Sequence, residues 1–172
     1  MKIQHHIAQH RIATPLGWLT ATRSRRGISG LWFDGQKHHP GRLELPPAAP
    51  DDPLFAALER ALQRYFAGHA LPQDLLRELD PQGTPFQREV WRALLAIAPG
   101  GSASYGGLAR QLGRPQAARA LGAAVGRNPI SILIPCHRVL GAGGELTAYA
   151  GGLQRKKAML NLEGVNYKNE AV

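Results

Sequence analysis

The chain's single cysteine lies in Ile134-Pro135-Cys136-His137-Arg138-Val139, beside an imidazole and a guanidinium. A thiolate is the form of cysteine that attacks carbon, and a nearby cation or a histidine base lowers the cost of making it. A lone cysteine is more often an inert core residue, so its neighbours must carry the case. In extended backbone Cys136 and His137 point to opposite faces, so linking them requires a bridging water or a tight turn. His137 also needs an acceptor for its other ring nitrogen. Beyond residue 83 the carboxylates are Glu89, Glu145, Glu163 and Glu170. Glu163 closes an apolar helix containing Leu160 and Leu162 and is expected to point inward. The plainer reading makes it a surface carboxylate ahead of the helix-ending Gly164. With one cysteine, neither an internal disulfide nor a cysteine-rich zinc site is available.

Other residues must shape this site. Pro135 and Asn128-Pro129 stiffen the approach to Cys136. Gly141, Gly143, Gly144, Gly151 and Gly152 make the following segment a loop able to wrap a flat ligand, with Tyr149 and Ala150 just before the last pair. An ordinary surface loop has the same composition.

The elements that position these residues fall into two parts. Residues 12–34 alternate loosely, with Gly17 and Gly27 as punctuation, and predict two or three antiparallel strands. A Pro-rich loop spans residues 40–50. Asp52 and Pro53 then open a helix whose apolar face is Leu54, Leu58, Leu62 and Phe66, ended by Gly68. A further strand is expected near residues 75–79. Thr84-Pro85-Phe86-Gln87 restarts the chain as a capping box with proline in the first turn. Phe86, Val90, Trp91, Leu94 and Leu95 form the stripe of that helix. Ser104 caps a short helix carrying Leu108 and Leu112, and Gly113-Arg114-Pro115 turns into a second one. These two have the proportions of a helix-turn-helix. Residues 131–134 read as a short β-like run, and a last helix covers residues 153–163. The expected domains are 1–83, a small α/β unit, and 84–172, a mostly helical one.

Charge is uneven. The chain of 172 residues carries 21 Lys and Arg against 12 Asp and Glu, a net +9. Residues 1–83 account for +2 and residues 84–172 for +7. Such an excess suits a polyanionic partner; the dominance of Arg over Lys is explained equally by an arginine- and alanine-rich coding bias. The second helix of the pair is rich in small residues: Ala117, Ala118, Ala120, Gly122, Ala123 and Ala124. It can therefore lie very close to another surface, either a neighbouring helix or a narrow minor groove. Arg119 protrudes from it and is the candidate for insertion into a duplex. No apolar run approaches the length of a bilayer crossing. Residues 1–6 lack the apolar stretch of a signal peptide, which predicts a cytoplasmic protein without a membrane partner.

From Ser104 to Gly164 the chain resembles the methylated-DNA–protein-cysteine methyltransferases, or alkylguanine-DNA alkyltransferases. The matching pieces are Ser104-Tyr105-Gly106, Ala118-Arg119-Ala120-Leu121-Gly122, Asn128-Pro129, Ile134-Pro135-Cys136-His137-Arg138-Val139, Tyr149-Ala150-Gly151-Gly152-Leu153 and Leu162-Glu163-Gly164. Phe86-Gln87 and Val90-Trp91 extend the match upstream. The first half is similar in layout only, with Thr14-Pro15-Leu16-Gly17 as its most family-like stretch.

The resemblance implies a ribonuclease-H-like α/β N-terminal domain followed by a winged-helix-like domain with a helix-turn-helix. It implies transfer of an alkyl group from O6-alkylguanine in duplex DNA, and from O4-methylthymine as a second substrate, to the cysteine. The nucleotide would flip out through the minor groove. Cys136 would be the acceptor, His137 a water-relayed base, Glu163 the carboxylate holding that base, and Tyr105 both the phosphate-crowding tyrosine and a proton donor. Arg119 would fill the vacated stack, with Ala118, Ala120 and Gly122 against DNA. Asn128 would be the hinge, with Pro135 and Arg138 shaping the site, and Tyr149, Ala150 and Gly151 would line the lesion pocket. Each molecule would act once, without metal or other cofactor, as a monomer in solution, with cooperative assembly on DNA left open. Ala150 departs from members with Ser there, leaving only backbone to meet the lesion oxygen. The rival readings are a lesion-binding sensor, a winged-helix regulator and a Cys-His hydrolase. Sensor relatives replace the cysteine that Cys136 retains.

Overall fold

The structure is a computed structural model and describes residues 5–169. Residues 1–4, on which most of the expectation about export rests, and Glu170 lie outside the described residues.

The chain divides into two compact units. The first takes the chain up to Gln82 and also Pro129–Leu133; the second holds Gly83–Asn128 and resumes at Ile134. In the first unit, strands β1 (Ala8–Thr14), β2 (Gly17–Arg23) and β3 (Ile28–Phe33) form an antiparallel sheet in the order β1-β2-β3. All of β3 is buried; Ile28, Leu31, Trp32 and Phe33 are apolar, and the Ser29 hydroxyl is bonded to His6 and Thr22. Trp32 folds its ring over Gly30, where a Cβ would overlap the indole and press on Thr22 Oγ1. Helix α1 (Pro53–Phe66) starts where expected: Asp52 Oδ1 accepts the amides of Leu54 and Phe55, and Pro53 sits in the first turn. It lies against β1 and buries Phe55, Leu58, Leu62 and Tyr65.

Two expectations fail locally. Residues 75–79 are not a strand. Gln73–Arg77 form a short helix, α2, begun by Pro72 with Asp74 in its first turn, and only Leu79 bridges Ile28. Nor are residues 131–134 a strand. The Leu31 amide donates to Pro129 O and the Ser131 amide to Leu31 O, which uses up the edge at one residue pair. Ile132 then turns the chain with φ at 70°, an unusual conformation for a β-branched residue. Its side chain is fully buried, and that packing holds the turn.

In the second unit, α3 (Pro85–Leu95) opens with the reciprocal Thr84–Gln87 capping box. Val90, Trp91 and Leu94 are buried, each stabilising the fold by about 1.5–3 kcal/mol. The Trp91 indole N–H donates to Ala124 O at 2.9 Å and ties α3 to the helix that carries Ala124. Helix α4 (Tyr105–Gln111) is capped by Ser104; Gly113 turns the chain at φ 67°, and a 3-10 turn at Pro115–Ala117 leads into α5 (Ala118–Gly126). Two short strands, β4 (Ala103–Ser104) and β5 (Val139–Leu140), pair in parallel. Helix α6 (Leu153–Leu162) follows, and Gly164 ends it at φ 69°. Leu140, Leu146, Leu160 and Val165 form a core beneath it. Among the described residues, no helix is long and apolar enough to cross a membrane.

Candidate active site

Cys136–Arg138 form one turn of 3-10 helix between the Ile132 turn and β5. The tight turn, rather than extended backbone, sets the directions of the three side chains. All three are buried, with His137 at 0% exposure.

Asn128 joins the two ends of the chain where it leaves the second unit and returns. Its Nδ2 donates to Ile134 O at 2.8 Å and to Cys136 Sγ at 3.0 Å. The sulfur is thus fixed by an amide at the end of α5. Burial pushes the Cys136 thiol up, and the Asn128 hydrogen bond, the Lys156 charge and the Tyr149 hydroxyl only partly oppose that. The Lys156 cation does lower the cost of a thiolate, but desolvation outweighs it. The resting sulfur is a thiol.

One residue away lies a second titratable group. His137 Nε2 lies 2.8 Å from Glu163 Oε1. Burial holds His137 below its ordinary pKa, against the pull of Glu163, so the ring is neutral. Because a carboxylate only accepts, the single ring proton sits on Nε2 and donates to Glu163. That leaves Nδ1 as the basic lone pair. Nδ1 is buried without a protein partner among the described residues. Glu163 is also held by Arg138, whose Nε donates at 2.7 Å and Nη2 at 3.1 Å. Arg138 Nη1 donates to Ile97 O, fastening the turn to the end of α3. A side chain 5% exposed with three donors cannot drift, so Glu163 points inward.

Tyr105 opens α4, and its hydroxyl lies 3.2 Å from Thr147 Oγ1. Burial and the nearby Cys136 raise its pKa, keeping it a proton carrier. Gly122 on α5 faces this ring: a Cβ there would touch it at 3.7 Å. Ala118 is half-buried, while Arg119 and Ala120 are exposed on the same helix. Thus Asn128, Tyr149, Lys156 and Tyr105 act on the Cys136 sulfur, His137, Arg138 and Glu163 bond to one another from the same turn, and Arg119 belongs to neither group. Gly151 is buried, and its carbonyl accepts from Arg155 Nη1 at 3.0 Å, which steadies the loop carrying Tyr149 and Ala150. Pro135 leads directly into the cysteine turn.

Sequence reasoning missed Lys156 and Thr147. Lys156 is 1% exposed, with Nζ 2.7 Å from Val139 O, 3.1 Å from Thr147 O and 3.0 Å from Thr147 Oγ1. Its burial lowers its pKa to about 8, opposed by the Cys136 charge. A signal was present: Lys156 shares the buried stripe of α6 with Met159 and Leu160, at i, i+3 and i+4. Thr147 has no such signal, since it lies in a loop.

Residues 85–165 match the family described as 6-O-methylguanine DNA methyltransferase, DNA binding domain. A Salmonella typhimurium methylated-DNA–protein-cysteine methyltransferase is 45% identical over 92% of this chain and 96% of its own length. Its Mycobacterium bovis namesake is 45% identical over 88% and 89%. The fold is similar to a crystal structure of Mycobacterium tuberculosis OGT in complex with DNA, with a TM-score of 0.79, 41% identity, and coverage of 92% and 93% of the two chains. Such identity across nearly the whole of both sequences, together with the cysteine turn and its histidine–glutamate pair, means that the chain belongs to the methylated-DNA–protein-cysteine methyltransferase family.

Proposed function

We propose that this protein repairs duplex DNA by moving the alkyl group of O6-alkylguanine, and of O4-methylthymine as a second substrate, onto Cys136 in a single irreversible event. The observation that supports the reading is the Nε2–Glu163 hydrogen bond, which leaves His137 Nδ1 as an unshared base one residue along the chain from a buried thiol. Through a bridging water Nδ1 takes the thiol proton. The sulfur then forms its bond to the alkyl carbon as the carbon–oxygen bond breaks. The electron pair passes into the guanine ring, which receives a proton from Tyr105. Positioned general bases of this kind accelerate reactions by about 10²–10⁴-fold. The thioether product has no leaving group for water to expel, so the protein is consumed.

A stacked base hides the reacting carbon, so the nucleotide must flip out at a cost of about a few kcal/mol. The small-residue face of α5 approaches the minor groove, and the exposed Arg119 enters the stack in its place. In this reading α4 and α5 are the helix-turn-helix of a winged-helix-like domain, and the first unit is ribonuclease-H-like. The partner is DNA and the setting cytoplasmic. Hinge motion at Asn128 couples groove binding to the sulfur it holds.

The test is mass spectrometry after incubation with a duplex carrying one O6-methylguanine. A gain of one methyl on Cys136, lost in Cys136→Ser with duplex binding kept, supports transfer. Binding with no mass change makes the protein a sensor, and continuing product release makes it a hydrolase.

A further inference from the structure

Thr147 belongs to no part of the reaction as described so far, yet it touches two groups with chemistry. Its Oγ1 lies 3.0 Å from Lys156 Nζ and 3.2 Å from the Tyr105 hydroxyl. The ammonium has three N–H bonds and three acceptors: Val139 O, Thr147 O and Thr147 Oγ1. Since an ammonium can only donate, Thr147 Oγ1 must accept from it. The threonine proton then has two destinations. Val139 O is 3.5 Å away and already receives Lys156 at 2.7 Å. The Tyr105 oxygen is closer, at 3.2 Å. The buried positive charge also favours oxygen lone pairs turned toward it and hydrogens turned away.

We propose that Thr147 is a positioning residue that fixes the direction of the Tyr105 hydroxyl. Its own O–H donates to the tyrosine oxygen, so the tyrosine proton points away from Lys156 and toward the departing base. The inference rests on the role of Tyr105 proposed above. The groups facing Tyr105 and Thr147 include Cys136 from the 3-10 turn and Lys156 from α6. His137, Arg138 and Glu163 are engaged with one another. Lys156 contributes through charge: held by two carbonyls and a hydroxyl among the described residues, it polarises the threonine O–H, while the proton given to the base is the tyrosine's own.

The prediction is read in single-turnover methyl transfer from a duplex carrying O6-methylguanine. Thr147→Val keeps the shape and removes the hydroxyl. It should slow transfer by about 10- to 100-fold, the range for losing one hydrogen bond in a charged network. Thr147→Ser restores the hydroxyl and should react at nearly the wild-type rate, and duplex affinity should be the same in all three. In a Tyr105→Phe background, Thr147→Val should add no further loss, because the hydroxyl it orients is gone. The proposal is overturned if Thr147→Val reacts at the wild-type rate, or if Thr147→Ser is as slow as Thr147→Val. It is also overturned if Thr147→Val slows the Tyr105→Phe protein as much as it slows the wild type. Absence of transfer by the wild-type protein would instead refute the underlying function.

Discussion

Replacing Glu163 by Gln preserves shape and volume but gives one of its two oxygen positions to an NH2 group. In the native site both oxygens accept: Oε1 from His137 Nε2 at 2.8 Å and Arg138 Nη2 at 3.1 Å, and Oε2 from Arg138 Nε at 2.7 Å. Glutamine can satisfy only one side. If its oxygen faces Arg138, its amide donates to His137 Nε2, the ring proton moves to Nδ1, and the base disappears. If its oxygen faces His137, two donors confront each other at Arg138 inside a site 5% exposed. The first arrangement removes the general base, which is worth about 10²–10⁴-fold in rate. Either arrangement leaves the buried Arg138 cation without its counter-charge, costing about 3–5 kcal/mol of stability, a large part of the roughly 5–15 kcal/mol of a folded domain. Single-turnover transfer at a temperature where the variant remains folded measures the rate, and urea unfolding measures the stability. Because the second arrangement sets two donors 2.7 Å apart, against 3.1 Å for the Arg138 Nη2 contact in the first, the first should prevail, and Glu163→Gln reacting as fast as wild type would refute that tautomer switch and the loss of the Nδ1 base.

Arg119→Ala should weaken repair of duplex far more than reaction with free alkylated base, because only the duplex must be opened; equal losses on both would refute insertion. His6 and His137 are both held below their ordinary pKa, chiefly by burial. The unfolded chain therefore binds more protons once pH falls below about 6.5. Their contribution to stability is complete above that pH and is lost as pH drops toward the folded-state values, so the melting temperature should be flat at neutral pH and decline below about 6.5; a melting temperature that rises on acidification would contradict the burial argument. Gly30→Ala places a methyl into the Trp32 ring and should cost about 1–3 kcal/mol by overpacking, measured by denaturant unfolding, whereas a neutral effect would mean the indole can move aside.

Signals confined to one turn of chain were readable from the sequence. Asp52, the Thr84–Gln87 box, Ser104 and Gly164 cap or end their helices at the expected places, because a cap acts on amides two or three residues away. The cysteine motif and the Glu163 partnership were legible for a different reason, through their likeness to a family pattern. Only the tertiary structure decided the rest. Residues 75–79 and 131–134 are extended-looking sequences whose conformation is set by what β3 offers them: single bridges at Ile28 and Leu31. Lys156 and Thr147 lie nine residues apart in sequence, and Lys156 shares Val139 O from seventeen residues away. The state of the sulfur was also beyond local reading, since a nearby cation lowers the cost of a thiolate while burial leaves a thiol. Sequence neighbours specify which charges are near, but desolvation depends on everything that covers a group, and that is a property of the folded chain alone.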